Sequence, residues 1–303
     1  MSERILPRYP VYIPSKGRAD CCPTARILDA NAVPFHLVVE PQEANAYASQ
    51  FGKERLIVLP FHDLGLGSIP SRNFIWEHAK STGAKRHWTL DDNIRVFLRR
   101  YRAERVYCEP GIALRVAEDF TDRYENIGIA GLNYSMFVPN SEKHAPFTVN
   151  CHVYSCMLIL NSLLFRWRGR YNEDTDLCLQ VLSTMELCTV LLNAFMIEKK
   201  TTMTMKGGNA TELYKGDGRL KMARSLERVW PGVVETKRRF HRPQHVVKNS
   251  WKQFDTPLRL KPGIDLAQLP AVNEYGMSLV QVADEVKSPR LQGLLDDWQQ
   301  THE

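Results

Sequence analysis

Short apolar runs alternate with stretches of helical period through the first half of the chain. Residues 9–13 read as a strand, 14–18 as a loop and 22–30 as a helix, with Pro23 suited to a first turn. Residues 35–39 and 55–59 are predicted strands on either side of a helix at 43–51. Residues 71–80 are a predicted helix: Ser71 can cap it, and Phe74, Ile75 and His78 lie at helical spacing. A fourth strand, 85–90, follows. This alternation predicts an α/β fold, with a mostly parallel twisted sheet flanked by helices. Ligands in such sheets bind beyond the C-terminal strand ends. The loops at Ser15, Glu40, Ser71 and Asp91 are therefore expected to converge.

The second half continues with a predicted helix at 111–124 and strands at 127–131 and 151–160. The polar, proline-containing run 137–148 reads as a loop able to lie over a site. Helical spacing returns at 174–187, and 194–205 is strand-like before a Lys-Gly-Gly-Asn turn. Beyond about residue 214 the pattern becomes basic helix and loop, with an extended linker at 257–270 and a last helix at 279–299. Two regions follow: a sheet-based domain over 1–215 and a basic, mainly helical region over 216–303.

Composition narrows the class. Of 303 residues, 44% are hydrophobic and 24% charged, as in an ordinary soluble globular protein. No run approaches the roughly 18 apolar residues of a membrane span, and the first residues lack the apolar core of a secretory signal. A cytoplasmic protein without membrane contact is expected. The seven cysteines include no Cys-x-x-Cys, which points to neither a disulfide framework nor a zinc site. The net charge of +6 is concentrated: residues 216–252 hold ten Lys/Arg against three Asp/Glu. That segment reads either as a solvated helix face or as a surface for a phosphate-rich polymer.

The strand ending at Leu90 delivers Asp91-Asp92-Asn93 at its tip. Mg²⁺ and Mn²⁺ take oxygen ligands and are often held by one or two carboxylates plus substrate phosphates. Such a tip suits a cation carrying the diphosphate of a nucleotide sugar, the bland alternative being a cap for a helix from Ile94. Ser15-Lys16-Gly17-Arg18 suits a nucleotide base or phosphate, or is simply a charged turn. Arg72 can pair with a phosphate and Asn73 can fix a pyrimidine edge. Lys206-Gly207-Gly208 offers a cation and backbone amides to a diphosphate, or a plain turn. Glu173-Asp174 stands where a helix dipole favours acids, and also where a general base would serve. Sugar transfer with inversion needs a carboxylate to accept the proton of the attacking hydroxyl.

Taken in order, Tyr-Ile-Pro-Ser-Lys-Gly-Arg, Val-Val-Glu-Pro-Gln-Glu, Ser-Arg-Asn, Leu-Asp-Asp-Asn and Asn-Glu-Asp-Thr-Asp resemble a GT-A glycosyltransferase. More narrowly, the chain is similar to the phage TET/JBP-associated glycosyltransferases, relatives of the base J glucosyltransferase, over roughly residues 9–250. The resemblance implies sugar transfer from a UDP-sugar to the hydroxymethyl group of a modified pyrimidine, 5-hydroxymethylcytosine or 5-hydroxymethyluracil, in DNA. A phage-encoded member would work in the host cytoplasm. The resemblance implies nucleotide-sugar contacts at Ser15, Lys16, Arg18, Glu40 and Arg72, to which the residue reading adds Asn73, Asp91 and Lys206. It places the metal motif on Asp91, Asp92 and Asn93, for Mn²⁺ or Mg²⁺. Because Asn93 stands at the usual third acid, Asp92 is expected to take more of the coordination. The catalytic acids fall on Glu173 and Asp174, with Asp174 preferred as base.

DNA contacts are then expected from Lys237, Arg238, Arg239, Arg242 and Lys248, with Trp230 and Trp251 available to stack on a base. Arg99, Arg100 and Arg102 extend the basic surface. His241 and His245, with Pro243 between them, read as solvated or phosphate-contacting rather than as a metal pair. Two other readings stand beside this one: a transferase acting on a glycan or protein, and a non-catalytic nucleic-acid-binding protein.

Overall fold

The chain enters a βα alternation at once. The computed structural model describes residues 4–201, 205–208, 217–239 and 241–278. Strand β1 (Val11–Pro14) leads to helix α1 (Pro23–Ala30), which opens on Pro23 and buries Thr24, Ala25 and Leu28. Strand β2 (His36–Val39), helix α2 (Ala44–Phe51) and strand β3 (Leu56–Val58) follow. Helix α3 (Ile69–Ser81) begins earlier than its sequence signal. Pro70 occupies its first turn, and Ser71 lies inside the helix with Oγ donating to the Ser68 carbonyl, so Ser71 does not cap it. Strand β4 (Arg86–Leu90) is buried at every position.

Strands β3, β2, β1 and β4 run parallel in that order, as the alternation predicts. Their C-terminal ends deliver Ser15, Glu40 and Asp91 to one edge. The helix considered after Asn93 does not form. Ile94–Tyr101 is strand β5, hairpinned to β6 (Glu104–Tyr107) through Arg102 in the left-handed region.

Helix α4 (Pro110–Asp122) precedes β7 (Ile127–Tyr134), followed by β8 (Phe147–Val149) and β9 (Cys156–Leu160). Strand β9 starts later than expected because Asn150 and Ser155 both turn the chain through positive φ. It inserts antiparallel between β4 and β7. Helix α5 (Glu173–Leu182) ends before residue 187, where Met185 adopts positive φ. Strand β10 (Cys188–Lys199) starts earlier than its sequence signal, pairing parallel with β7 and antiparallel with β5 and β8. The main apolar cluster joins α1, α4 and the inner strands around Trp88, Phe97 and Leu158.

Among the described residues after 217, the expected basic helix is joined by strands. Helix α6 (Gly218–Val229) is followed by an antiparallel hairpin of β11 (Val234–Arg239) and β12 (Arg242–Val247). The segment buries Leu226, Val234, Val247 and Phe254 against Leu179 and Leu182 of α5. The expected linker is docked: Leu260 bridges Tyr124, and the Glu125 amide donates to the Arg259 carbonyl. The expected junction near residue 215 and the helix at 279–299 lie outside the described residues. Among the described residues, no helix is long and apolar enough to cross a membrane.

Candidate active site

A pocket of about 410 Å³ opens at the C-terminal ends of β1, β2 and β4. Ser15, Lys16, Arg18, Glu40, Arg72 and the run Asp91–Asn93 all line it, as does Glu173 at the start of α5. Loops from distant parts of the chain therefore meet here as the parallel sheet requires.

Two carboxylates set its floor, each braced differently. Asp92 is buried: Oδ1 accepts from Arg18 Nη1 at 2.5 Å and Oδ2 from Ser15 Oγ at 2.7 Å. Burial pushes its pKa up, against the Arg18 charge and the Ser15 hydroxyl. Asp91, with 27% of its side chain exposed, accepts from Arg72 Nη2 at 3.0 Å and from Ser155 Oγ at 2.6 Å, and lies 3.4 Å from Lys199 Nζ. Burial would raise its pKa, but Lys199, Arg72 and the Ser155 hydroxyl outweigh burial and hold it below the ordinary value. Arg72 also lies over the Trp167 ring, and its Nε is 3.9 Å from Glu173. One guanidinium thus links both acidic clusters.

The first loop is fixed by close packing. Tyr47 Oη hydrogen-bonds Ser15 Oγ and accepts from the Arg18 amide. Arg18 also donates to the carbonyls of Lys206 and Gly207. A side chain on Gly207 would come within 2.2 Å of the Gly17 carbonyl oxygen, and one on Gly208 within 2.6 Å of Arg18 Nη2. Lys206-Gly207-Gly208 is therefore a turn clasped onto the first loop, with the Lys206 side chain facing outside the pocket lining. Asn209 lies outside the described residues. Lys16 reaches Glu40 at 2.8 Å and Asp63 at 2.7 Å.

Asn73 does not line the pocket. Its amide donates to the Trp167 carbonyl and accepts from the Trp167 amide, so it anchors that loop and presents no edge to a pyrimidine. Asn93 Nδ2 donates to the Lys200 carbonyl, while Oδ1 is buried without a hydrogen-bond partner among the described residues.

The second acidic pair points two ways. Glu173 lines the donor-side pocket and accepts from Ser68 Oγ at 2.6 Å. Burial raises its pKa despite Arg72, and the neighbouring Asp174 charge adds to the rise. Asp174 lies outside that lining. It accepts from the Thr175 amide and sits 3.4 Å from His152 Nε2. Burial alone would raise its pKa, but His152 and the Thr175 amide hold it well below the ordinary carboxylate range. The Trp251 ring stacks on His152 at 6.1 Å. His245 on β12 reaches Thr175 Oγ1 at 3.4 Å, and burial, with His152 nearby, pushes its pKa down to about 4. His245 is thus packed inward rather than solvated.

The hairpin gathers Lys237, Arg238, Arg239 and Arg242 near one end, with Arg239 opposite Arg242 and Lys248 just past β12. Lys237 is paired with Glu235. Trp230 is not presented for stacking, because its indole N–H donates to buried Asp176 and its ring packs in the α5–hairpin cluster. Arg99 and Arg102 cover the Tyr101 ring. Asp63 and Ser68 line the pocket, and Tyr47, Ser155, Trp167 and Lys199 contact residues that line it; none had a motif to announce it, and only the folded sheet brings them there.

A hard divalent cation here would draw on few protein ligands. Among the described residues no group of three or more His, Cys, Asp or Glu is arranged for a metal. Phosphate oxygens and water would then complete the coordination. The oxygens best placed to meet a cation are the partly exposed Asp91 carboxylate and the unpartnered Asn93 Oδ1. Asp92, expected as the chief ligand, is more deeply buried than Asp91, and both carboxylates already have each oxygen engaged by protein donors. The lining also includes five carboxylates (Glu40, Asp63, Asp91, Asp92, Glu173) against four cationic side chains (Lys16, Arg18, Arg72, Arg170). A diphosphate entering that field is favoured by an added positive charge.

A comparison with curated proteins gives no match. The model of one family, described as TET-Associated Glycosyltransferase, matches residues 9–208. That span runs from just before β1 to the glycine turn clasped on Arg18 and so takes in every side of the pocket. The chain therefore belongs to the TET-associated glycosyltransferases and is a glycosyltransferase.

Proposed function

We propose that this enzyme moves a sugar from a nucleotide sugar, a UDP-sugar in the favoured reading, to the hydroxymethyl group of a modified pyrimidine in DNA. The observation that supports it most is the split of the acidic pair. Glu173 faces the pocket expected to take the donor, while Asp174, one residue on, faces away toward His152. Donor and acceptor then approach opposite sides of one helix start. The acceptor oxygen attacks the anomeric carbon and its proton passes to Asp174. The bond from that carbon to the diphosphate oxygen breaks, and its electron pair leaves on the diphosphate. Asp174 is held ionised and so has a lone pair free for the proton, while its position beside the acceptor side, more than its base strength, recommends it.

Glu173 and Arg72 orient the donor side, and Arg18, braced by Asp92, fixes the first loop. Mn²⁺ or Mg²⁺ held at Asp91 and Asn93, with Asp92 behind them, would offset charge on the leaving diphosphate. A hydroxymethyl group at the pyrimidine 5-position already lies in the major groove, within reach without base flipping. Hairpin cations Arg238, Arg239 and Arg242, with Lys237 and Lys248, would contact phosphates.

The test is incubation with hydroxymethylated DNA and a panel of UDP-sugars, followed by mass spectrometry of the nucleosides. Glycosylated hydroxymethylpyrimidine is expected. Transfer to a glycan or protein with none to the modified DNA would replace this acceptor assignment.

A further inference from the structure

We propose that a basic groove beside the donor pocket is a second seat for the phosphodiester backbone of the acceptor DNA, distinct from the hairpin. The proposal rests on the DNA-acceptor reading above. The groove, of about 720 Å³, lies across the Arg18 loop from the donor pocket, and Arg18 lines both. A shallower depression sharing Asp20, Cys21, Arg95 and Lys200 continues it toward α1. Together they are lined by six cationic side chains, Arg18, Arg26, Arg95, Lys199, Lys200 and Lys206, against the single carboxylate of Asp20.

This balance is the reverse of the donor pocket's. There the arginines face carboxylates, so a phosphate gains from an accompanying cation. In the groove the excess is positive and needs none. Two of the six are turned inward: Arg18 braces Asp92, and Lys199 lies beside Asp91. Arg26, Arg95, Lys200 and Lys206 are exposed. Arg95, itself exposed, pairs with half-buried Glu198 at 3.0 Å, a contact that a phosphate can share at small cost. Arg26 Nη2 donates to the Asp20 carbonyl, a contact that leaves its charge uncompensated. Pro23 and Ile27 give the α1 end an apolar wall suited to a sugar face.

Position adds to charge. The hairpin reaches the reacting centre from the α5 side, through His245 at Thr175. The groove reaches it from the β1, β5 and β10 side, through Lys199 at Asp91. Nothing about such contacts reads base sequence, so the groove holds and orients the strand.

The experiment is fluorescence anisotropy with a labelled duplex carrying 5-hydroxymethylpyrimidines, across a salt series. It compares the wild type with the triple variant Arg26→Gln/Arg95→Gln/Lys200→Gln and with a charge-keeping counterpart, Arg26→Lys/Arg95→Lys. The glutamine variant is expected to lose roughly tenfold or more in affinity, and its log K against log salt slope should fall by about 2 to 3. Its KM for DNA should rise with kcat held and donor hydrolysis unchanged. The lysine variant should keep the wild-type slope. Wild-type affinity and slope in the glutamine variant would overturn the groove and leave the acceptor reading intact. A wild-type enzyme that glycosylates another acceptor and binds no DNA would overturn that reading and the groove together.

Discussion

Arg18 and Asp92 form an ion pair with both side chains less than a tenth exposed, whereas Asp91 keeps 27% of its surface. Removing one partner of a buried pair leaves an uncompensated charge and costs about 3–5 kcal/mol. Asp92→Ala should therefore lose stability of that order in urea unfolding. Asp91→Asn should lose less stability than Asp92→Ala, because Arg72 keeps Glu173 nearby, yet lose roughly 100-fold in kcat/KM. An Asp92→Ala protein of wild-type stability would return that carboxylate to a direct ligand role. His152 supports a second prediction. It holds Asp174 below the ordinary value of 3.8, so a carboxylate base stays ionised well into acid. His152→Gln lets that pKa rise, so protonation begins at higher pH. The acid limb of the kcat profile should move to higher pH with the alkaline limb unmoved. An unmoved acid limb would place the reacting carboxylate elsewhere, with Glu173 next in line.

At the level of elements, the site depends on two loops meeting closer than side chains allow. Gly207 has φ +73, and a Cβ there would meet the Gly17 carbonyl oxygen at 2.2 Å. Gly207→Ala should separate the turn from the first loop, weakening donor binding at least about tenfold, about 1.4 kcal/mol, by calorimetry. Gly232→Ala (φ +81, nothing within 4 Å) carries similar backbone strain away from the site and should leave donor affinity unchanged. This clasp shows what a sequence can reveal. The strand ends at Ser15, Glu40 and Asp91 were legible because apolar runs stop there at polar loops. Lys206-Gly207-Gly208 was legible as a turn, but not that Arg18 holds it through backbone carbonyls. The β5–β6 hairpin was not legible because Ile94 also suited a helix start after Asn93; pairing with β10 makes Ile94–Tyr101 a strand. The β11–β12 hairpin hid the same way, with Lys237-Arg238-Arg239 resembling a solvated helix face. Ser155 and Lys199 carry no local motif; β9, antiparallel beside β4, and β10, between β7 and β5, bring them to Asp91.

Among the described residues, the candidate pocket holds five carboxylates against four cations, whereas the hairpin and the groove beside the pocket are mostly cationic. The +6 total conceals this, because residues 216–252 alone contribute ten Lys/Arg against three Asp/Glu. Sorting of this kind makes the two substrates respond differently to salt. On the proposed reading a nucleotide sugar enters a confined pocket where charges are already paired, so its KM should change little. A DNA strand displaces counterions from its backbone with each phosphate contacted, so its affinity falls as a power of salt concentration. Taking Arg238, Arg239, Arg242 and Lys248 as full contacts, and discounting Lys237 for its Glu235 partner, the slope is about −3.6. Affinity for hydroxymethylated duplex should then fall about 100-fold between 50 and 200 mM salt, more if the groove contributes. Donor hydrolysis without acceptor, measured over the same series at fixed Mn²⁺, should stay within about twofold, because paired and partly buried charges are screened far less than exposed ones. Steady-state kinetics with each substrate varied in turn separates these effects. A donor KM that climbs as steeply as the DNA KM would mean that the pocket and the surfaces share one electrostatic field.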